Sequence, residues 1–144
     1  MITAATGSLE MLEGWHASDP QRARLRFTFP INRLSGAKAS SVVYFEVPPG
    51  QRLPRHTDSA EEILYIIEGT AEAELGDEHG TVRAGDLVVI PELVPHGLVN
   101  VGDDTVRVVG WFASEAITSA FEEPMMPFGA AVLEQAPLPE PALG

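Results

Sequence analysis

An all-β fold, a small barrel or sandwich in one domain, is what this sequence predicts, and three observations predict it. Short apolar stretches recur about every ten residues between residues 22 and 112. Several alternate apolar with polar residues, and Gly, Pro, Asn and Asp separate them. The chain has 144 residues, the size of one domain.

The elements follow in order. Residues 1–8 read as a mobile end. Leu9 to Trp15 is a short strand or an anchoring segment. From Arg22 to Phe29, Arg22, Arg24 and Arg26 alternate with Ala23, Leu25 and Phe27, so this is a half-buried strand with a solvated basic face. Pro30 ends it or places it at an edge. Ser35-Gly36-Ala37 is a turn. Ser40 to Val47, rich in Val, Tyr and Phe, is a strand closed by Pro48-Pro49-Gly50. Arg52 to Asp58 is extended.

Glu62 to Glu68 is a strand with both faces apolar, which predicts a central position. In Thr70 to Leu75, Ala71, Ala73 and Leu75 share a face whose small side chains leave room inside a barrel. Gly76 to Gly80 is a hairpin turn, Thr81 to Arg83 a short strand, Ala84-Gly85-Asp86 a turn and Leu87 to Ile90 an apolar strand. Pro91 to Pro95 loops to His96. Strands follow at His96–Val101 and Thr105–Phe112, making about eight between residues 22 and 112.

Beyond the barrel, Ser114 to Phe121 predicts two helical turns, with Ser114 as N-cap and Pro124 as the stop. The apolar stretch MMPFGAAVL should pack on the barrel, over its mouth or at a subunit interface. Residues 136–144 read as a loose tail. The expected organisation is an extension over 1–21, a barrel over 22–112 and a C-terminal segment over 113–144.

Composition excludes several classes. There is no cysteine, so neither a disulfide framework nor a thiolate metal site can form. No apolar run approaches the ~20 residues of a membrane-spanning helix. The formal net charge of −12 opposes binding to nucleic acid or to an anionic membrane. The N-terminal stretch has neither the basic region nor the apolar region of a signal peptide, and with the missing cysteines this leads us to expect the cytoplasm.

The chemistry concentrates in two stretches. In GQRLPRHTDSAEEILYIIEG, His56 and Asp58 point to one side of an extended segment, and Glu62 shares a strand face with Leu64 and Ile66. In GDLVVIPELVPHGLVN, His96 opens another apolar strand. Two imidazoles and a carboxylate at three corners of an octahedron suit Fe(II), and equally Mn(II), Ni(II) or Zn(II).

The spacing of these stretches resembles the two motifs of the cupin superfamily. The first runs Gly50, five residues, His56, one residue, Asp58, three residues, Glu62, six residues, Gly69. The second runs Gly85, five residues, Pro91, four residues, His96, three residues, Asn100. The resemblance covers about residues 40–112. It implies a single-domain jelly-roll barrel and places His56, Glu62 and His96 at metal-ligand positions. Two departures stand out. Asp58 stands where many members have a second His, so it is a direct ligand, a ligand through water, or a group that orients a ligand. Leu93 stands where the second motif often has Gly. Glu61 has the opposite strand parity to Glu62, and Asn100 is expected to be structural, as are His16 and the solvated His79.

The resemblance implies a divalent metal and a small, mainly apolar or aromatic substrate. Asp58 and Glu62 are the candidate catalytic carboxylates. A dioxygenase leads, and a cyclase or isomerase of polyketide type follows. The alternative is a binding module without turnover. Neither nucleic acid nor membrane is expected as a partner, and a homodimer is.

Overall fold

The computed structural model describes residues 1–134, so the predicted tail lies outside the described residues. Twelve strands appear: β1 (Leu12–His16), β2 (Arg24–Ile31), β3 (Ser41–Val47), β4 (Arg52–Asp58), β5 (Glu62–Glu68), β6 (Thr70–Leu75), β7 (Glu78–Arg83), β8 (Leu87–Ile90), β9 (His96–Asn100), β10 (Val106–Phe112), β11 (Thr118–Met126) and β12 (Ala130–Glu134). They form one sheet in the order β7-β6-β9-β4-β11-β1-β2-β3-β10-β5-β8, with β12 attached to β11. The pairs of named strands are all antiparallel.

Period-two alternation selects the inner face. Leu25 and Phe27 of β2, Val43, Phe45 and Val47 of β3, Leu64 and Ile66 of β5, and Val106 and Val108 of β10 belong to one buried cluster. This all-β barrel is the predicted fold class. β1 from the N-terminal extension, and β11 and β12 from the C-terminal segment, are strands of the same sheet.

Four local expectations are corrected. The C-terminal helix is absent from residues 114–121, where β11 begins at Thr118. A two-turn helix is marginal by itself, whereas β11 satisfies the open backbone groups of β4 along its edge. Ser114 closes a local turn instead of capping a helix, its hydroxyl donating to Ala116 O at 2.7 Å. Pro124 does not end the element; it sits in β11 where the pairing with β12 becomes irregular. The hairpin turn is confined to Gly76-Asp77, since Leu75 already pairs with Glu78, and His79 lies exposed on β7.

β5 is central in hydrogen bonding, between β10 and β8, but its outer face is open. Ile63 and Tyr65 are exposed there, beside Leu87, Val89 and Trp111. Tyr65 and Trp111 are therefore not core residues, while Tyr44 and Phe45 are buried.

Candidate metal centre

A β-bulge aims the first stretch. The register of β4 on β9 shifts between Leu53 and His56. Uninterrupted alternation from Leu53 would turn Arg55 and Thr57 inward; the extra residue instead brings Leu53, His56 and Asp58 all onto the interior. Pro54, which has no N–H to donate, lies in this irregularity. Gly97 on β9 permits the close approach, since a Cβ there would stand 2.7 Å from Leu53 O. His56 pairs directly with His96 across the strands, with ring centroids 4.2 Å apart.

Hydrogen bonding fixes the tautomers. His56 Nδ1 lies 2.8 Å from Pro54 O, and His96 Nδ1 lies 3.0 Å from Val94 O. A carbonyl oxygen accepts only, so each Nδ1 carries the hydrogen and each Nε2 presents a lone pair. Both lone pairs point toward Asp58 Oδ2, 3.5 Å from His56 Nε2 and 3.1 Å from His96 Nε2. Asp58 Oδ2 and His96 Nε2 are buried without a hydrogen-bond partner. Acceptors facing one another at this distance require a cation between them, either a proton or a metal. The ligand atoms of His56, Asp58 and His96 all lie within 4.8 Å of one another. This donor set suits a divalent first-row metal.

The electrostatics agree. Burial opposes charge on His96, but the Asp58 and Glu62 carboxylates beside its Nε2 prevail and raise its pKa to about 10 when no metal is present. Burial likewise works to raise Asp58, yet the two histidines hold its carboxyl well below the usual range. Glu62 goes the other way: burial pushes it up, and the neighbouring Asp58 charge adds to that.

Glu62 faces inward with Leu64 and Ile66, as its strand parity predicts, while Glu61 is exposed. Its Oε1 lies 3.6 Å from His96 Nε2, beside the three-residue set and not within it. The carboxylate rests over Gly110 of β10, where any Cβ would overlap Oε2.

Two site residues escape sequence reasoning. Ser119 and Phe121 of β11 stand opposite Asp58 and His56 of β4. Ser119 Oγ donates to Asp58 Oδ1 at 2.5 Å, and the Phe121 ring stacks on His56 with centroids 4.7 Å apart. Serine, one residue, phenylalanine is a strand-period signal that the helical reading concealed. The remaining candidates are structural. Asn100 donates to Val47 O and Asp104 O, tying a loop. His16 is buried edge-on against Phe121.

The centre opens into a cavity of about 430 Å³. All six phenylalanines of the chain line it. MMPFGAAVL contributes Met125, Phe128, Ala130, Val132 and Leu133, so this segment walls the cavity. Among the described residues, the charged groups at its wall, apart from the histidines, are Asp58, Glu62, Glu74 and Glu134; no Lys or Arg lines it.

Comparison with known proteins agrees with this geometry. Residues 43–112 match the family described as Cupin domain. The chain is 37% identical to the polyketide synthase CurC of Streptomyces cyaneus over 62 residues, which is 42% of this chain and 40% of that protein. It is 33% identical to the protein SchB of Streptomyces halstedii over 76 residues, 52% of this chain and 55% of the relative. The matched regions thus span about half the length of these curated relatives. Among solved structures, the polyketide cyclase RemF from Streptomyces resistomycificus superimposes with a TM-score of 0.64 at 24% identity, covering 78% of each chain. An oxalate decarboxylase of Lactobacillus farciminis gives 0.65 at 22% identity, covering 68% of this chain and 31% of the other.

Proposed function

We propose, from the match of residues 43–112 to the Cupin domain and the site's geometry, that this chain is a cupin and a metal-dependent enzyme acting on a neutral, mainly apolar, ring-bearing small molecule. The observation that carries the metal is the pair of Nδ1-protonated histidines whose Nε2 lone pairs meet Asp58 Oδ2 in a buried setting. A divalent ion held by His56, Asp58 and His96 would supply Lewis-acid polarisation of a substrate oxygen.

The cavity supports the substrate class. Phenylalanine walls favour a flat apolar molecule and exclude water. No Lys or Arg among the described residues lines the cavity to pair with a substrate carboxylate, so beyond the metal a small dianion such as oxalate would meet no cationic side chain, which disfavours it here. The polyketide names carried by CurC and RemF are compatible with this cavity. Glu62, buried and raised, is then placed to take a proton from the substrate and return it. On these grounds a cyclase- or isomerase-type proton transfer is the first reading. A dioxygenase is the second, favoured by the two-histidine, one-carboxylate donor set.

Metal analysis by mass spectrometry, on protein purified without added metal, is expected to find about one first-row divalent ion per chain, lost in the His56→Ala, His96→Ala double variant. Oxygen uptake with aromatic substrates should stay flat for the first reading and rise for the second. No metal even after reconstitution would remove the enzyme reading. Metal and ligand binding without turnover would leave a binding module.

A further inference from the structure

We propose that Ser119 is a positioning residue that makes Asp58 a one-oxygen metal ligand, and that the C-terminal strand β11 therefore completes the metal centre. This rests on the metal reading above. Ser119 and Asp58 stand directly opposite each other in the β4–β11 pair, so their side chains share the inner face. The Ser119 hydroxyl donates to Asp58 Oδ1 at 2.5 Å, while Oδ2 turns to the histidines and has no hydrogen-bond partner. The two oxygens of one carboxylate are thus given separate tasks. An unrestrained carboxylate can chelate through both oxygens or rotate away; a hydroxyl donating to Oδ1 fixes the rotation and favours binding through Oδ2.

The requirement follows from the aspartate at position 58. A histidine at position 58 would be oriented through its second ring nitrogen, as His56 and His96 are through Pro54 O and Val94 O. An aspartate there is shorter and two-headed, and its orientation must come from elsewhere. Ser119 supplies it from outside the 43–112 span matched by the family. In the same strand, two residues on, Phe121 stacks on His56. One strand thus braces two of the three ligand residues.

The test is a Co(II) titration followed by visible absorption, on the whole chain after chelation. Ser119→Ala is expected to weaken Co(II) binding roughly ten-fold or more and to change the d–d band shape as the carboxylate is freed. Ser119→Thr, which keeps the hydroxyl, should restore both. In the Asp58→Ala background, Ser119→Ala should add nothing, because its effect passes through the carboxylate. Thermal melting of the chelated variants reports folding separately. Wild-type affinity and band shape in Ser119→Ala would overturn the inference while leaving the metal site intact. A Ser119→Ala effect that persists without Asp58 would overturn it too. Failure of the wild-type protein to bind Co(II) would remove the metal site itself, and this inference with it.

Discussion

A methyl group added at Gly110 would overlap Glu62 Oε2 and come within 2.9 Å of Val43 Cγ1. Neither neighbour can move far, because Val43 is a core residue and Glu62 is buried beside the histidines. Gly110→Ala should therefore cost about 1–3 kcal/mol in urea unfolding, as overpacked sites do. Under the proposed metal-enzyme reading it should also lower turnover while leaving metal content unchanged. Unchanged stability together with unchanged turnover would show that Glu62 does not need this cradle. An isolated glycine inside VRVVGWF does signal a close approach in sequence. What approaches it is invisible there, because Glu62 lies far away along the chain and meets Gly110 across β5 and β10. His56, Asp58 and Glu62 were legible because their spacing within extended segments fixes which residues share a side; that the side of His56 and Asp58 faces inward came from the bulge in β4. Ser119 was not, because one serine is informative only when its cross-strand partner is known.

Turns and bulges carry the strain at the level of elements. Leu93, in the loop before β9, has φ +62°, and it is the non-glycine residue in that region among the described residues. Its side chain is 62% exposed, so little packing repays the backbone cost. The sequence showed leucine where related motifs often place glycine, and the left-handed backbone is the physical reason for that preference. Leu93→Gly is expected to leave stability level or raise it by up to about 1 kcal/mol, after the extra freedom of the unfolded chain is counted. The opposite change at Gly69 is costly. Its φ is +90°, and a Cβ would stand 2.9 Å from both Thr105 O and Val106 Cα. Gly69→Ala should lose about 2 kcal/mol or more. Chemical unfolding of the two variants side by side checks both signs; a destabilised Leu93→Gly would mean that the leucine side chain matters to the loop. β11 illustrates the opposite limit of local reading. Its helical pattern was real, but pairing with β4 on one side and β12 on the other outweighed it, since an isolated two-turn helix is marginal.

For the molecule as a whole, the candidate metal centre should link pH to stability. Without metal, the His96 pKa is raised from 6.5 to about 10. Between those values the folded protein keeps a proton that the unfolded chain has released, so stability must fall as pH rises through that window. Chelated protein should melt at progressively lower temperature from about pH 6.5 to about pH 10, and His96→Gln should flatten the trend. Metal loading should flatten it as well, because the ion takes the place of the proton. A level melting temperature in the chelated wild type would show that His96 holds no such proton. The sequence by itself determined the strand periodicity, most of the turns, that His56 and Asp58 share one side while Glu62 shares a face with Leu64 and Ile66, and the acidic, cysteine-free character of the chain. All of these follow from a period of two and from side-chain chemistry, which are local properties. Only the tertiary structure decided that a bulge at Pro54 turns His56 onto His96, that β11 sets Ser119 against Asp58, and that six phenylalanines close around one cavity that no Lys or Arg among the described residues lines. Those outcomes depend on the register between strands distant in the chain, and register is set by how whole faces pack together.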